Sequence, residues 1–135
     1  MKNLLKVSEA ATLALHTMAM LAANPSRKVP AREVAAAYKV SEAHLAKVLQ
    51  RLGKAGLVSS TRGPKGGFLL GKKPARITLL SVFEAVEGPI GFRNCMFAKK
   101  ACKGEHCVMG NALRDANQVL KDYLTQTTLA EFAEQ

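Results

Sequence analysis

The run Leu57-Val-Ser-Ser-Thr61-Arg62-Gly-Pro-Lys-Gly66-Gly67-Phe-Leu-Leu-Gly71 decides the fold. Two short segments with strand character, Leu57–Thr61 and Gly67–Gly71, flank a five-residue turn that holds two glycines, a proline and two cations. This pattern predicts a β-hairpin. A glycine-rich tip brings backbone N–H groups close to phosphate, and Arg62 is placed to enter a minor groove.

The residues just before the hairpin give it a context. Pro30 opens a predicted helix over Ala31–Tyr38, since its fixed φ suits a first turn. After Lys39-Val40, Ser41 is placed to N-cap a third helix that runs to about Ala55 and ends at Gly56. Leu45, Val48, Leu49 and Leu52 form its apolar stripe, leaving Glu42, Ala43, His44, Lys47, Gln50, Arg51 and Lys54 on the other faces. Two short helices, a tight turn and a basic hairpin describe a winged helix-turn-helix. On that reading Ser41, Ala43, His44 and Lys47 meet base edges, Arg51 and Lys65 meet phosphate, and Arg62 reads the minor groove.

Composition agrees. The 135 residues carry 20 Lys+Arg against 10 Asp+Glu, a net charge of +10 that calls for an anionic partner, nucleic acid first and an anionic membrane second. Nine Lys/Arg and one acid, Glu42, fall between Lys39 and Arg76, so the charge is focused on the winged helix. A membrane-surface protein would string its cations along one long amphipathic helix instead. The apolar run Ala10–Ala23 is interrupted by His16 and Thr17 and ends at Asn24-Pro25, which suits neither a cleaved signal nor a membrane span. It is expected to belong to a first helix, Lys6–Ala23, with Ser8 as N-cap and no membrane association. Glu9 and His16 lie on one face of that helix.

Beyond the hairpin, Leu79–Glu87 is predicted as a helix, stopped by Gly88-Pro89, with Leu79, Val82, Phe83 and Val86 facing inward. The longest helix is expected from Val108 to Leu124. Its stripe runs through Met109, Ala112, Leu113, Ala116, Val119, Leu120, Tyr123 and Leu124. Such a stripe either completes one core or packs against a second copy; the closed winged helix ahead of it favours a homodimer. A short helix over Thr127–Phe132 should dock Leu129 and Phe132. The fold class is therefore mainly α with a small β-hairpin. Its units are 1–88 (winged helix), 89–107 (a loop) and 108–135 (dimerisation helix and tail).

That loop holds every cysteine: Cys95, Cys102 and Cys107, with six residues in the first gap and four in the second. An odd number of close thiols is a poor disulfide framework and fits a reducing cytoplasm. Cysteines kept for packing would not cluster among Lys99, Lys100 and Lys103. Three thiolates on one loop suit iron–sulfur or zinc ligation, and Arg93 and the lysines favour the thiolate form. Zinc, or a metal-free thiol sensor, remains an alternative at this point. An enzyme is disfavoured: there is no Cys-x-x-Cys, nucleotide loop or nucleophile–base constellation, hence no catalytic residues and no small-molecule substrate. An adaptor that binds protein is the remaining rival.

The sequence resembles the Rrf-two family of winged-helix transcription regulators over nearly its whole length. The likeness rests on Leu52-Gly-Lys-Ala-Gly-Leu-Val-Ser-Ser60, on Arg62–Gly71, on Val82-Phe-Glu-Ala-Val86 and on the cysteine trio. It implies a cytoplasmic homodimer on a double-stranded DNA operator, switched by an iron–sulfur cluster (2Fe–2S or 4Fe–4S) on Cys95, Cys102 and Cys107. Two departures matter. The family's cysteines are often evenly spaced, and the histidine that one branch places three residues after the last cysteine is here Gly110. Other members use an acid of the first helix, which corresponds to Glu9; His106 ranks second as fourth ligand and His16 third.

Overall fold

The computed structural model describes residues 1–99, 101–103 and 106–133. Lys100, Gly104, Glu105, Glu134 and Gln135, named above within the loop and the tail, lie outside the described residues. The elements in order are α1 (Glu9–Ala23), α2 (Ala31–Tyr38), α3 (Glu42–Lys54), β1 (Val58–Thr61), β2 (Gly67–Leu70), α4 (Leu79–Glu87) and α5 (Ala112–Gln126). One turn of 3-10 helix, Pro74–Arg76, leads into α4, and another, Leu129–Phe132, follows α5.

Local chemistry sets most boundaries. Ser8, Ser41 and Thr78 are extended N-cap residues whose hydroxyls accept from the N–H of Ala11, His44 and Ser81 at 3.0–3.1 Å. The first helix thus begins at Glu9 rather than Lys6, because its cap is Ser8. Lys39 closes α2 in the left-handed conformation, φ 55°, with its N–H on the Ala35 carbonyl. The last helix was expected from Val108 but begins at Ala112. Gly110 takes φ 56°, and the N–H groups of Gly110 and Ala112 close tight turns on the carbonyls of Cys107 and Met109. It is no longer than α1; both have 15 residues.

α1 is the centre of the core, with Leu13, Ala14, Met18, Leu21 and Ala22 buried. It packs on α3, on α4 and on the final 3-10 turn. Leu45, Val48, Leu49 and Leu52 of α3 are all buried, the stripe its spacing predicts. Each such leucine contributes roughly 2 kcal/mol of apolar transfer.

The hairpin pairs antiparallel, Val58 with Leu70 through Thr61 with Gly67. A second seam fixes it to the body: Val29, just before α2, exchanges backbone hydrogen bonds with Phe68 at 3.1 and 2.8 Å. A Cβ at Gly67 would sit 2.9 Å from the Val29 carbonyl, so this seam requires glycine.

The tail returns to the same body. Leu79 N–H donates to the Thr127 carbonyl and Leu129 N–H to the Ile77 carbonyl, and Ile77 and Leu129 are fully buried together. Leu129 docks as expected, although through a 3-10 turn.

Candidate nucleic-acid interface and cysteine loop

The α3 stripe that enters the core leaves the opposite side of the helix to solvent. Ser41, Ala43 and Lys47 are exposed there and His44 is half-buried. Ser41 Oγ accepts from His44 N–H, which leaves the hydroxyl proton free to donate outward. Arg62 and Lys65 are exposed at the hairpin tip. That tip is tight: Gly63 has φ 108°, and Gly66 N–H returns to the Gly63 carbonyl at 2.9 Å. A Cβ at Gly66 would fall 2.1 Å from the Thr61 carbonyl oxygen, so the two cations flank a bare backbone. The start of α3 and the hairpin tip thus present Lys47 on the one and Arg62 and Lys65 on the other to solvent.

Arg51, expected to meet phosphate, is exposed and also has a partner within the fold. Its Nη1 donates to the Val86 carbonyl of α4 at 2.6 Å, so the structure gives it an internal partner. Sequence reading missed this pair, because 35 residues separate them. It also missed Lys39, whose strained turn adds a cation beside the start of α3.

A cleft of about 480 Å³ opens between α1 and the α2–α3 turn, with Glu9, His16, Tyr38, Lys39 and His44 on its walls. It brings Glu9 and His16, both first-helix candidates, alongside the first turn of the recognition helix. His16 Nδ1 lies 2.7 Å from the Thr12 carbonyl and so carries the hydrogen, leaving Nε2 open. The His16 ring meets Tyr38 edge-on at 5.6 Å, and Tyr38 donates to the His16 carbonyl at 3.0 Å. Burial pushes the Tyr38 phenol above its ordinary value, which keeps that donor protonated.

The cysteine loop leaves α4 at Gly88 and reaches α5 after Gly110. All three thiols are free; Cys95 is half-buried, Cys102 and Cys107 exposed. Arg93, Lys99, Lys103 and His106 are exposed in the same segment. Among the described residues no three Cys, His, Asp or Glu side chains are gathered closely enough to hold a metal. The donor set nevertheless fits thiolate-ligated iron: three unpaired thiols lie on one largely exposed loop. What the fold does bring together is the root of the loop. The Ser8 hydroxyl donates to the Glu87 carboxylate, placing the α1 N-terminus, and with it Glu9, at the end of α4. Asn117 of α5 donates to the Arg93 carbonyl two residues before Cys95.

The face of α5 is only partly covered: Leu124 packs against the core, but none of the helix is fully buried, and Val119, Leu120 and Tyr123 are 68%, 42% and 52% exposed. No helix among the described residues is long and apolar enough to cross a membrane.

Comparison with known proteins agrees with this architecture. The Rrf2 family profile, described as an iron-dependent transcriptional regulator, matches residues 7–135. An HTH-type transcriptional regulator of Aquifex aeolicus is 30% identical over 127 residues, 92% of this chain and 88% of that protein. The HTH-type transcriptional regulator IscR of Erwinia tasmaniensis is 36% identical over 104 residues, 76% of this chain. The match covers 62% of that relative, so the chain spans about three-fifths of its length. Among solved structures, CymR, the global cysteine regulator of B. subtilis, superposes with TM-score 0.76 at 27% identity, covering 97% of this chain and 100% of that one. IscR of T. potens gives TM-score 0.68 at 25% identity, covering 93% and 84%. The family match over residues 7–135, with the Aquifex relative alike over 92% of the chain, identifies this winged helix as a member of the Rrf2 family, whose members are DNA-binding transcriptional regulators rather than enzymes.

Proposed function

We propose that the chain works as a cytoplasmic homodimer whose grip on a DNA operator is set by an iron–sulfur cluster held by Cys95, Cys102, Cys107 and Glu9. The observation that carries this reading is the convergence at the end of α4. The loop with all three free thiols starts there, the α1 N-terminus with Glu9 is tied there through Ser8, and Arg51 of the recognition helix ends there. Bound at that loop, an iron–sulfur cluster would supply a centre that responds to redox state, oxygen, nitric oxide or iron supply.

The chain's own residues do the rest. The three cysteines supply soft sulfur donors, on a segment that also exposes Arg93, Lys99 and Lys103. Glu9, from the same or the second subunit, supplies a harder and more weakly held donor, suited to a centre meant to be altered. Closing the loop to gather these donors pulls on Gly88 and so on the end of α4. Ser41, Ala43, His44 and Lys47 then meet base edges, Lys65 meets phosphate and Arg62 the minor groove, with half-sites about one helical turn apart. The exposed stripe of α5 pairs with its copy and sets that spacing.

The test is the visible spectrum of protein reconstituted without oxygen. Cys95→Ala, Cys102→Ala and Cys107→Ala should each abolish the chromophore, and Glu9→Ala should leave an altered, shorter-lived one. An unchanged Glu9→Ala with a colourless His106→Ala or His16→Ala reassigns the fourth ligand. Normal colour in all three cysteine variants sinks the sensor. A colourless wild type that binds zinc points to a structural metal.

A second reading has its own support. Cys102 and Cys107 are exposed and free, and the chain is alike throughout its length to a cysteine regulator, so a metal-free thiol switch is the rival. That reading expects peroxide, with no metal present, to change operator binding, and dithiothreitol to restore it.

A further inference from the structure

We propose that Arg51 is a positioning residue that couples the cysteine loop to the recognition helix within one subunit, through its hydrogen bond to the Val86 carbonyl. The inference deepens the proposed switch but rests only on DNA binding, whatever the loop carries.

The last carbonyls of a helix have no partner inside it. In α4 the Glu84 carbonyl is satisfied by Gly88 N–H at 2.8 Å, and the next residue, Pro89, has no N–H to offer. Val86 is only 3% exposed, so water reaches its carbonyl poorly and an unmet acceptor there would be costly. Arg51 fills that place at 2.6 Å with a charged donor, and a cation at a helix C-terminus is favoured by the aligned peptide dipoles.

The placement of this bond gives it a second consequence. One residue after Glu87 the chain turns at Gly88 with φ 81° and becomes the cysteine loop. The loop is held again at Arg93, whose carbonyl accepts from Asn117 of α5. The short span from Gly88 to Arg93 is therefore pinned at one end by the recognition helix and at the other by the last helix. Any change in the loop that turns Gly88 re-aims the Val86 carbonyl. Arg51 stands in the last turn of α3, about 10 Å along a stiff rod from His44. A pull there rolls or tilts the whole α3 surface that faces DNA. Coupling of this kind is reciprocal: what the loop does to DNA binding, DNA binding does to the loop.

The experiment uses that reciprocity. Metal-free, reduced full-length protein is alkylated with iodoacetamide, with and without a duplex selected for tight binding from random sequences. In the wild type the duplex should change the labelling rate of Cys95 by about fivefold, the lower range of ordinary coupling. Arg51→Met should bring that ratio to one, and Arg51→Lys, which keeps a charged donor without the fork, should leave part of it. If Arg51→Met does not fold, Arg51→Lys decides alone, and an unchanged ratio there overturns the proposal. If Arg51 only touches phosphate, Arg51→Met keeps the ratio and lowers the salt slope of binding by about two per dimer, which also overturns it. A wild type without any ratio does the same. A colourless wild type that keeps the ratio defeats the cluster but leaves the coupling standing.

Discussion

The winged-helix body and the stretch from Gly88 to Gln126 handle apolar sequence in opposite ways. All the buried hydrophobic residues except Leu129 lie between Ala11 and Val86, while Phe97, Val108, Val119, Leu120 and Tyr123 stand in solvent. From α1 onward the body turns its apolar stripes inward, leaving the preceding Leu4, Leu5 and Val7 exposed: caps close its helices, a seam at Val29 holds the hairpin, and the tail supplies Leu129. Among the described residues the second stretch exposes two of its three thiols, several cations and part of the α5 stripe. The difference teaches that the apolar pattern of the body is addressed to its own core, while that of the stretch after α4 is addressed to something outside it, a metal or a second copy.

The largest effect should come from the outward-facing half. Leu113→Asp together with Leu120→Asp puts charge into the proposed subunit contact, where each buried carboxylate costs several kcal/mol. The dimer constant should weaken about a thousandfold, giving monomers by light scattering at micromolar concentration; a persistent dimer would put the interface elsewhere. Next is the body. Leu52→Ala should lower its unfolding free energy by about 3 kcal/mol in urea titrations. Val119→Ala in the monomeric background should change it by less than about 0.5 kcal/mol. Equal costs would erase the contrast between the regions.

Removing the wing cation comes third. Arg62→Ala should weaken operator binding by about 2 kcal/mol and relax base preference at the contacted minor groove, with the thermal midpoint unchanged. Binding as tight and selective as wild type would remove the wing from the interface.

The smallest effect is expected at the bidentate surface pair Arg27–Glu33, 2.6 Å at its shorter contact. The hydrogen bond from Arg27 holds the Glu33 carboxyl below its ordinary value. An acid depressed on folding adds stability that is present above its unfolded pKa and lost as pH falls through the folded one. Glu33→Gln should therefore cost little at neutral pH, because both groups are solvated, and nothing in acid. Urea midpoints at the two pH values check this.

How far the sequence could be read follows the same divide. α3 was legible to within one residue, because Ser41, the leucine stripe and Gly56 are local signals. The start of α5 was not: Met109 and Ala112 continue the apolar period across Gly110, and a count of spacings does not register a left-handed glycine. Arg51 sits on the outer side of its helix, so phosphate was the natural expectation; only the fold brings the Val86 carbonyl to it. The Val29–Phe68 seam is a pair of residues 39 apart with no periodic trace. At the loop, thiol chemistry was visible in residue types and spacing, but how the thiols might meet depends on groups that local pattern does not encode.

The hairpin has one more consequence, for crowding. β2 is flanked on both sides, by β1 and by Val29, so the sheet's free edge is β1. That edge is four residues long and turns Ser59, Ser60 and Thr61 to solvent, with Arg62 and Pro64 just beyond. A short polar edge ending in a charge and a residue without an N–H is a poor template for another strand. Copies assembled side by side on neighbouring sites therefore have little means of fusing sheet to sheet, even at the high local concentration that one stretch of DNA imposes. The hairpin proposed to meet DNA would thus also keep neighbouring copies from aggregating there.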